Sequence, residues 1–529
     1  MAVKNKKHHN TKNKKTTVLI IMDGWGVAPL KNKGNPIQPN ITPNYFRWLK
    51  DYPHTELQAS GTSVGLFKGQ EGNSEAGHIN LGAGRVVKQD AMYISDAIND
   101  GTFFKNNAFH QAFYHVKKYN SSIHVMGLLS NHNSAHSCPE HLYALMDLLR
   151  REKFKKVYLH LFTDGRDSSQ HDAPHHLKKL YEHLNNGEKI ATIMGRFYAM
   201  DRSKTWKRIK QSYDALVLAN SKHKAPSATE AVLQAYNRGE TDEFIQPTVI
   251  IEKGEPVGKI SSNDAIFFFN LRSDRARELT KVFVQRSFDK ENDNSFVREK
   301  LPRNIRFVAM TDFGPDLPGV LTAFPSRDVT NSLVQILCPR RQLFVAETEK
   351  FAHVTYFFNG GYSHHFCEDR WVKINSVAVD NYSKKPKMNA GMVSDYVSHA
   401  IESCEYDFIC VNFANPDIVA HTGDIKATEI AVKTVDSEVE RLIKIIKKNG
   451  GQGIVTADHG NAEELVDLKT GEINTEHSTN MVPLFLIGEH FYKKRLKMKK
   501  GKLADVAPTI LKMMGVKQPK EMTGRSLIK

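Results

Sequence analysis

Seven short runs of aliphatic, β-branched and aromatic residues recur along the chain: 17–24 (TVLIIMDG), 122–130 (SIHVMGLLS), 156–165 (KVYLHLFTDG), 264–272 (DAIFFFNLR), 305–313 (IRFVAMTDF), 407–417 (DFICVNFANPD) and 453–461 (GIVTADHGN). Their apolar residues are continuous rather than alternating. Stretches of helical periodicity, such as 141–151 (HLYALMDLLRR) and 428–449, lie between them. A strand that is apolar on both sides must be covered on both sides, which a parallel sheet between two helix layers provides. At 529 residues the chain exceeds what one ordinary core fills. The expectation is an α/β fold of two domains with mostly parallel sheets covered by helices.

Several of these runs end in a charged residue: Asp23, Asp164, Arg272, Asp312, Asp417 and Asp458. Ligands of open α/β sheets bind beyond the carboxyl ends of the strands, so the set points to a site there, although any one of them could be a helix cap. In ANPDIVAHTGD (414–424), Pro416 opens a helix that places Asp417 and His421 one turn apart on one face. In TADHGNAEE (456–464), Asp458 and His459 stand where a strand turns, and His477 lies in a polar loop ahead of another apolar run. Asp23, Asp417, His421, Asp458, His459 and His477 offer oxygen and nitrogen without thiolate, a donor set suited to manganese, zinc or magnesium.

Cationic residues cluster in the middle of the chain: Arg166 beside Asp167 in TDGRDSS, Arg196 and Arg202 in IMGRFYAMDRSKTW, and Arg272 and Arg275 in FNLRSDRARE. Guanidinium forks bind phosphate and carboxylate bidentately, so a small dianion bearing both groups would call on several. Arg272 and Arg275 share a face if a helix starts at Ser273. Arg277 turns off that face and reads as a surface ion pair. His136, in SNHNSAHSC, could meet a phosphate, and Asp167 could act as acid or base.

The stretch EGNSEAGHINLGAGR (71–85) sets Ser74 among glycines, one residue too long for the nucleophile elbow of serine hydrolases. A serine oxygen held by divalent cations loses its proton readily, so Ser74 could serve as a nucleophile without a histidine–aspartate relay.

Taken in order, IMDGWG, GNSEAGHINLGAGR, DGRD, GRFYAMDR, FNLRSDRA, AETEKFAHVTYFF, NFANPDIVAHTG, TADHGNAEE and EHSTNMVP resemble the cofactor-independent phosphoglycerate mutase family, from about Thr17 to the C-terminus. The resemblance implies an alkaline-phosphatase-like domain (17–88 and 325–529) split by an inserted transferase domain (89–324), with hinges near 86–92 and 318–328. It implies two divalent metal ions, manganese first, with zinc, cobalt or magnesium as alternatives. One would take Asp417, His421 and His477; the other Asp23, Ser74, Asp458 and His459. Substrate would be held by His136, Arg166, Asp167, Arg196, Arg202, Arg272, Arg275 and Lys350. The implied chemistry passes the phosphoryl group of 3-phosphoglycerate to Ser74 and back to the 2-hydroxyl, with Asp167 as acid/base, Lys350 offsetting charge, and retention at phosphorus. The family usually shows Ser-Asp-Gly-Gly-Val-His-Ser before its substrate histidine. Here the run from Ser130 to Ser137 is one residue longer and lacks the glycines, so His132 stands beside His136 as an alternative.

Five cysteines without a CxxC spacing give no sign of a disulfide framework, and a reducing cytoplasm is the default. No apolar run reaches the length of a membrane span, and no apolar segment follows the N-terminal lysines as a signal peptide requires. The net charge is +16, six of it from lysines in the first 15 residues. Residues 1–16 read as a basic disordered tail, and the remaining charge suits an anionic substrate. The expected partner is a phosphoglycerate, with no nucleic acid and no membrane, and the expected state is a monomer. A phosphatase of the same superfamily would share the aspartates and histidines but not the central arginines. A basic nucleic-acid-binding protein would account for the charge but leave the aspartate–histidine set unexplained.

Overall fold

The structure, a computed structural model, describes residues 15–131, 134–185 and 187–528. The tail up to residue 14 and His132 lie outside the described residues. The chain forms two compact units: one from the residues up to Gln89 together with those from Arg327 onward, the other from Asp90–Ser326.

The first unit is built on an eight-stranded sheet. Asp369–Ile374, Gln342–Glu347, Phe408–Phe413, Thr17–Met22 and Gln452–Thr456 run side by side and parallel. Val482–Gly488 then joins antiparallel, followed by His54–Gln58 and the short Gly501–Lys502. The strands Thr17–Met22, Phe408–Phe413 and Gln452–Thr456 are buried along their whole length, as continuous apolar runs require. The helices Ala390–Glu402 and Ile425–Lys448 contribute to the covering layer, burying Val393, Val397, Val435, Val439 and Leu442 in the same core. In register, Met22 faces Phe413 and Ile21 faces Thr456, so the carboxyl ends of three central strands finish level along one edge.

The second unit repeats the plan. Val320–Phe324, Arg306–Thr311, Ala265–Phe268, Ile123–Leu129, Val157–Thr163 and Glu188–Gly195 are parallel neighbours. Thr248–Glu252 is antiparallel to Glu188–Gly195. The loops after Leu129, Thr163, Gly195 and Phe268 again leave from one edge.

Two expectations are corrected. The condition for Arg272 and Arg275 to share a helical face, a helix starting at Ser273, is not met: the helix begins at Arg277. Asp274 is committed to Arg202 and Arg272, and residues 273–276 form a turn ahead of the helix. Arg277 does form an ion pair, with Asp316 at 2.6 Å. The cysteines are not all unpaired: Cys338 and Cys367 are joined as a disulfide. They precede Gln342 and Asp369, which face each other in two adjacent parallel strands, so the register itself brings the two sulfurs together.

Candidate functional site

In the first unit, Asp23 follows Met22, Asp417 sits in the short helix Asn415–Ala420 after Phe413, Asp458 and His459 follow Thr456, and Lys350 follows the strand ending at Glu347. Ser74 is the first residue of the helix Ser74–Ala83, capped by the Asn73 side chain through the Ala76 N–H. A helix N-terminus favours negative charge, which suits a serine oxygen about to lose its proton. Ser74 is buried, and its Oγ lies 2.9 Å from His459 Nε2, 2.6 Å from Lys350 Nζ and 3.4 Å from Asp23 Oδ1.

Around it the donor atoms converge. One each from Asp23, Asp458 and His459 lie within 4.8 Å of one another, and so do one each from Asp417, His459 and His477. His421 Nε2 adjoins the second group, 3.3 Å from Asp417 Oδ1 and 3.1 Å from His477 Nε2. All seven residues expected to ligate metal thus come to one place. Carboxylate oxygens and imidazole nitrogens without thiolate are the donors divalent manganese or zinc takes, so the residues present fit a dinuclear centre.

Three buried carboxylates, Asp23, Asp417 and Asp458, share this space. Lys350 Nζ lies 2.7 Å from Asp23 and 2.6 Å from Asp417. Burial disfavours its charge, but Asp23 and Asp417 overcome this and raise its affinity for its proton. His459 behaves alike: burial opposes its charge, yet Asp458, Asp23 and Asp417 push it up to about 9. Without metal the negative charge is met by protons on these two groups, and cations taking the site must displace one from His459.

Sequence reasoning missed Glu463. Its Oε2 accepts from Gly26 N (2.8 Å) and Asn461 N (2.9 Å), and its Oε1 from Asn480 Nδ2 (3.0 Å) and the Ser478 hydroxyl. One wholly buried carboxylate thus ties together the loops carrying Asp23, His459 and His477. Gly26 and Gly460 make room, since a Cβ on either would collide with the Glu463 carboxyl. Glu463→Gln replaces one acceptor by a donor facing two donors. It is expected to weaken divalent-metal affinity about 10- to 100-fold with far-UV circular dichroism unchanged, measured by titrating manganese into metal-free protein. Wild-type affinity in the variant would refute the positioning role. Asn412, missed as well, donates to Asp23 Oδ2 at 2.6 Å and fixes that carboxylate from the neighbouring strand.

In the second unit, Arg196 is buried and its Nη1 lies 2.6 Å from Asp164 and 2.9 Å from Asp167. Ser134 donates to the same Asp167 oxygen at 2.7 Å. Burial alone would raise the Asp167 carboxyl; Arg196 and Ser134 hold it below its ordinary value, so it stands ionised as a proton acceptor. Arg166, Arg196, Arg202 and Arg275 line a cavity of about 290 Å³. Burial, then Arg196, Arg202 and Arg166, lower Arg275 to about 10, the signature of cations gathered without enough anions. Arg272 stands behind, 3.5 Å from Asp274, which also pairs with Arg202. Arg208 also lines the cavity, stacked on Phe197 at 3.7 Å and paired with Asp201. It lies inside a helix, where no end-of-strand pattern marks it.

His136 is buried in the same unit, and burial, Arg196 and Arg272 bring it down to about 3. A histidine neutral when folded and charged when unfolded contributes stability above pH ~6.5 and loses it as pH falls toward the folded value, by about 1.4 kcal/mol per pH unit. His136→Gln should therefore lose about 1 kcal/mol less stability than wild type between pH 7 and 5.5, read from denaturant midpoints. Equal losses would show that His136 is not held neutral.

Comparison with known proteins agrees with this geometry. A family model described as the N-terminus of BPG-independent PGAM matches residues 94–315, and one described as type I phosphodiesterase / nucleotide pyrophosphatase matches 324–512. The chain is 47% identical to 2,3-bisphosphoglycerate-independent phosphoglycerate mutase 1 of Methanosarcina acetivorans, over 97% of this chain and 98% of that protein. It is 45% identical to mutase 2 of Methanosarcina barkeri, over 98% and 99%. A crystal structure of Leishmania mexicana phosphoglycerate mutase at low cobalt concentration superposes with a TM-score of 0.77 at 29% identity, covering 98% of this chain and 99% of that one. With such identity sustained over nearly its whole length, the chain belongs to the 2,3-bisphosphoglycerate-independent phosphoglycerate mutase family.

Proposed function

We infer that the reaction of this mutase, interconversion of 3-phosphoglycerate and 2-phosphoglycerate without bisphosphoglycerate, passes through a phosphoryl group carried on Ser74. The observation that supports this is a buried hydroxyl at a helix N-terminus, within 3.4 Å of Lys350, His459 and Asp23 at once. In the first half-reaction Ser74 Oγ gives up its proton and bonds to phosphorus, while the bond from phosphorus to the 3-oxygen breaks and that oxygen takes a proton. In the second, the 2-oxygen attacks the phosphoserine, loses its proton, and Ser74 regains one. Asp167, ionised and aligned by Arg196, takes and returns the glycerate protons. Lys350 sets its charge against the transferring phosphoryl oxygens. We assign the binding of the substrate anion to His136, Arg166, Arg196, Arg202, Arg272 and Arg275. Membership implies divalent metal ions. Bound to Asp417, His421 and His477, and to Asp23, Ser74, Asp458 and His459, they would supply Lewis-acid neutralisation of phosphate charge and ease the serine proton away.

We favour manganese as the metal on the strength of the family resemblance; oxygen and nitrogen donors suit it, as they suit zinc. We also read the enzyme as cytoplasmic and part of glycolysis and gluconeogenesis, on the strength of its substrate, and propose that it acts as a monomer. No helix among the described residues is long and apolar enough to cross a membrane. The test is the product. Purified protein with manganese and 3-phosphoglycerate, and no bisphosphoglycerate, should yield 2-phosphoglycerate by phosphorus NMR. Free phosphate as the main product would make it a phosphatase instead.

A further inference from the structure

The positive charge of this chain is not spread over its surface, nor gathered mainly at the arginine cavity. Residues 1–15 carry six lysines and residues 490–502 seven lysines and arginines, neither stretch with an acidic residue. These 28 residues hold thirteen of the sixteen net positive charges, which leaves the other 501 close to neutral.

The fold sets Lys15, the last residue of the first stretch, close to the start of the second. The Thr16 carbonyl accepts from Gln452 N at 3.1 Å, and Gln452 faces Gly488 across the next strand pair. The chain therefore enters the first unit beside the point where the basic loop leaves it. His490 registers this: burial first, then the charge of Lys15, lower its proton affinity. Further along the loop, Lys493 N donates to the carbonyl of Asp51, the last residue of the helix Pro43–Asp51, which presents Lys50 in its last turn. The helix Ile425–Lys448 ends on the same edge with Lys448 exposed.

Ordinary explanations cover only part of this charge. Lys50 and Lys448 sit at helix C-termini, where cations are favoured. Lys447 is taken up by Glu489 at 3.2 Å, and Lys500 by Glu56 at 2.6 Å. Lys493, Lys494, Arg495, Lys497 and Lys499 are all exposed, and none is paired with a carboxylate among the described residues. Five like charges in seven residues repel one another and are tolerated at a cost unless something anionic meets them.

We propose that this basic edge is a docking surface for a nucleic acid, gripped through its phosphates without reading of sequence. A bilayer would call for apolar side chains to insert alongside the lysines. Here Leu496 is the one strongly exposed apolar residue of the loop, while Tyr492 and Met498 pack against the core. Tyr492 also lies beneath Lys447, with Nζ 3.6 Å from the ring, and Phe491 is buried, so the loop offers no exposed Phe, Tyr or Trp ring to stack bases. Charge without stacking or insertion is the chemistry of phosphate-backbone binding. The loop leaves Gly488 at the amino end of the strand Thr17–Met22, opposite Asp23, and ends on the outer side of the sheet, where the Lys499 carbonyl accepts from Thr55 Oγ1 and Gly501 pairs with Leu57; the strands Gln452–Thr456, Val482–Gly488 and His54–Gln58 stand between it there and the strand that carries Asp23. This departs from the expectation of no nucleic-acid partner, which rested on the aspartate–histidine set that such a partner leaves unexplained.

The test is fluorescence anisotropy of the full chain with a labelled mixed-sequence oligoribonucleotide of about 25 nucleotides. With about six phosphates neutralised, affinity should fall a few hundred-fold between 50 and 200 mM salt. The combined variant Lys493→Ser, Lys494→Ser, Arg495→Ser, Lys497→Ser should bind at least about tenfold more weakly, with a shallower salt slope. Its mutase activity should stay at the wild-type level, which also reports that it is folded. No binding at 50 mM salt, or a variant that binds like wild type, overturns the proposal. So does tighter binding to phosphatidylserine-containing vesicles than to the RNA at equal salt, which would assign the edge to a membrane.

Discussion

Replacing Ser74 by alanine is expected to lower mutase turnover by about 10⁴-fold or more, because no other group can carry the phosphoryl between the two oxygens of glycerate. The loss should fall on turnover rather than on the architecture of the site. The change removes one oxygen and leaves in place the helix Ser74–Ala83 with its Asn73 cap and the six other side chains proposed to hold metal. Manganese binding by the variant should therefore persist, weakened by one donor, and be measurable by titration. Rapid acid quenching with phosphorus-labelled substrate should trap label on the wild-type protein and none on the variant. Substantial turnover by Ser74→Ala, or label retained on it, would move the carrier elsewhere.

The aspartates and arginines of this enzyme were legible for a topological reason. In a parallel sheet the carboxyl ends of the strands share one edge, so Asp23, Asp417 and Asp458 could be read as neighbours before any distance was known. The same logic gathered Arg166, Arg196 and Arg272. Residues that act by holding others escaped it. Glu463 sits beside Glu464 in a polar loop and looks solvated. It is buried only because Gly26 and Gly460 let three loops close on its carboxyl. Arg208 lies in the first turn of a helix rather than after a strand, and Asn412, the penultimate residue of its strand, is an uncharged amide, so neither matched the pattern of a charged residue at a strand's end. The Cys338–Cys367 pair depends on the register of the edge strand Asp369–Ile374 against its neighbour Gln342–Glu347, which composition does not reveal. The edge strand Asp369–Ile374, half-buried with exposed Arg370 and Lys373, lacks the continuous apolar run that marked the central ones. Most telling is the charge. Its excess in the body was read as suited to an anionic substrate, yet seven of those charges lie in one loop that leaves the sheet at the opposite end of the strands from Asp23 and Asp458.

Lys350→Met tests the electrostatic core of the site, with two opposed consequences. The lysine places its ammonium 2.6 Å from Ser74 Oγ, 2.7 Å from Asp23 and 2.6 Å from Asp417, almost fully buried. Methionine keeps much of the length and bulk but leaves the three carboxylates facing one another with only histidine protons between them. Breaking a buried pair by removing one partner costs about 3–5 kcal/mol, so the metal-free variant should unfold at clearly lower denaturant concentration than metal-free wild type. Saturating manganese restores positive charge and binds only the folded state, so it should stabilise the variant more than it stabilises wild type. Turnover should not recover with stability. In the proposed mechanism the lysine charge also faces the phosphoryl oxygens during transfer, and loss of one such donor costs about 10²–10³-fold. Stability regained with metal while turnover stays low separates the two roles. A metal-free variant as stable as wild type would show that the carboxylates already share protons and that Lys350 does not hold the empty site together. Near-normal turnover would remove it from the transfer step.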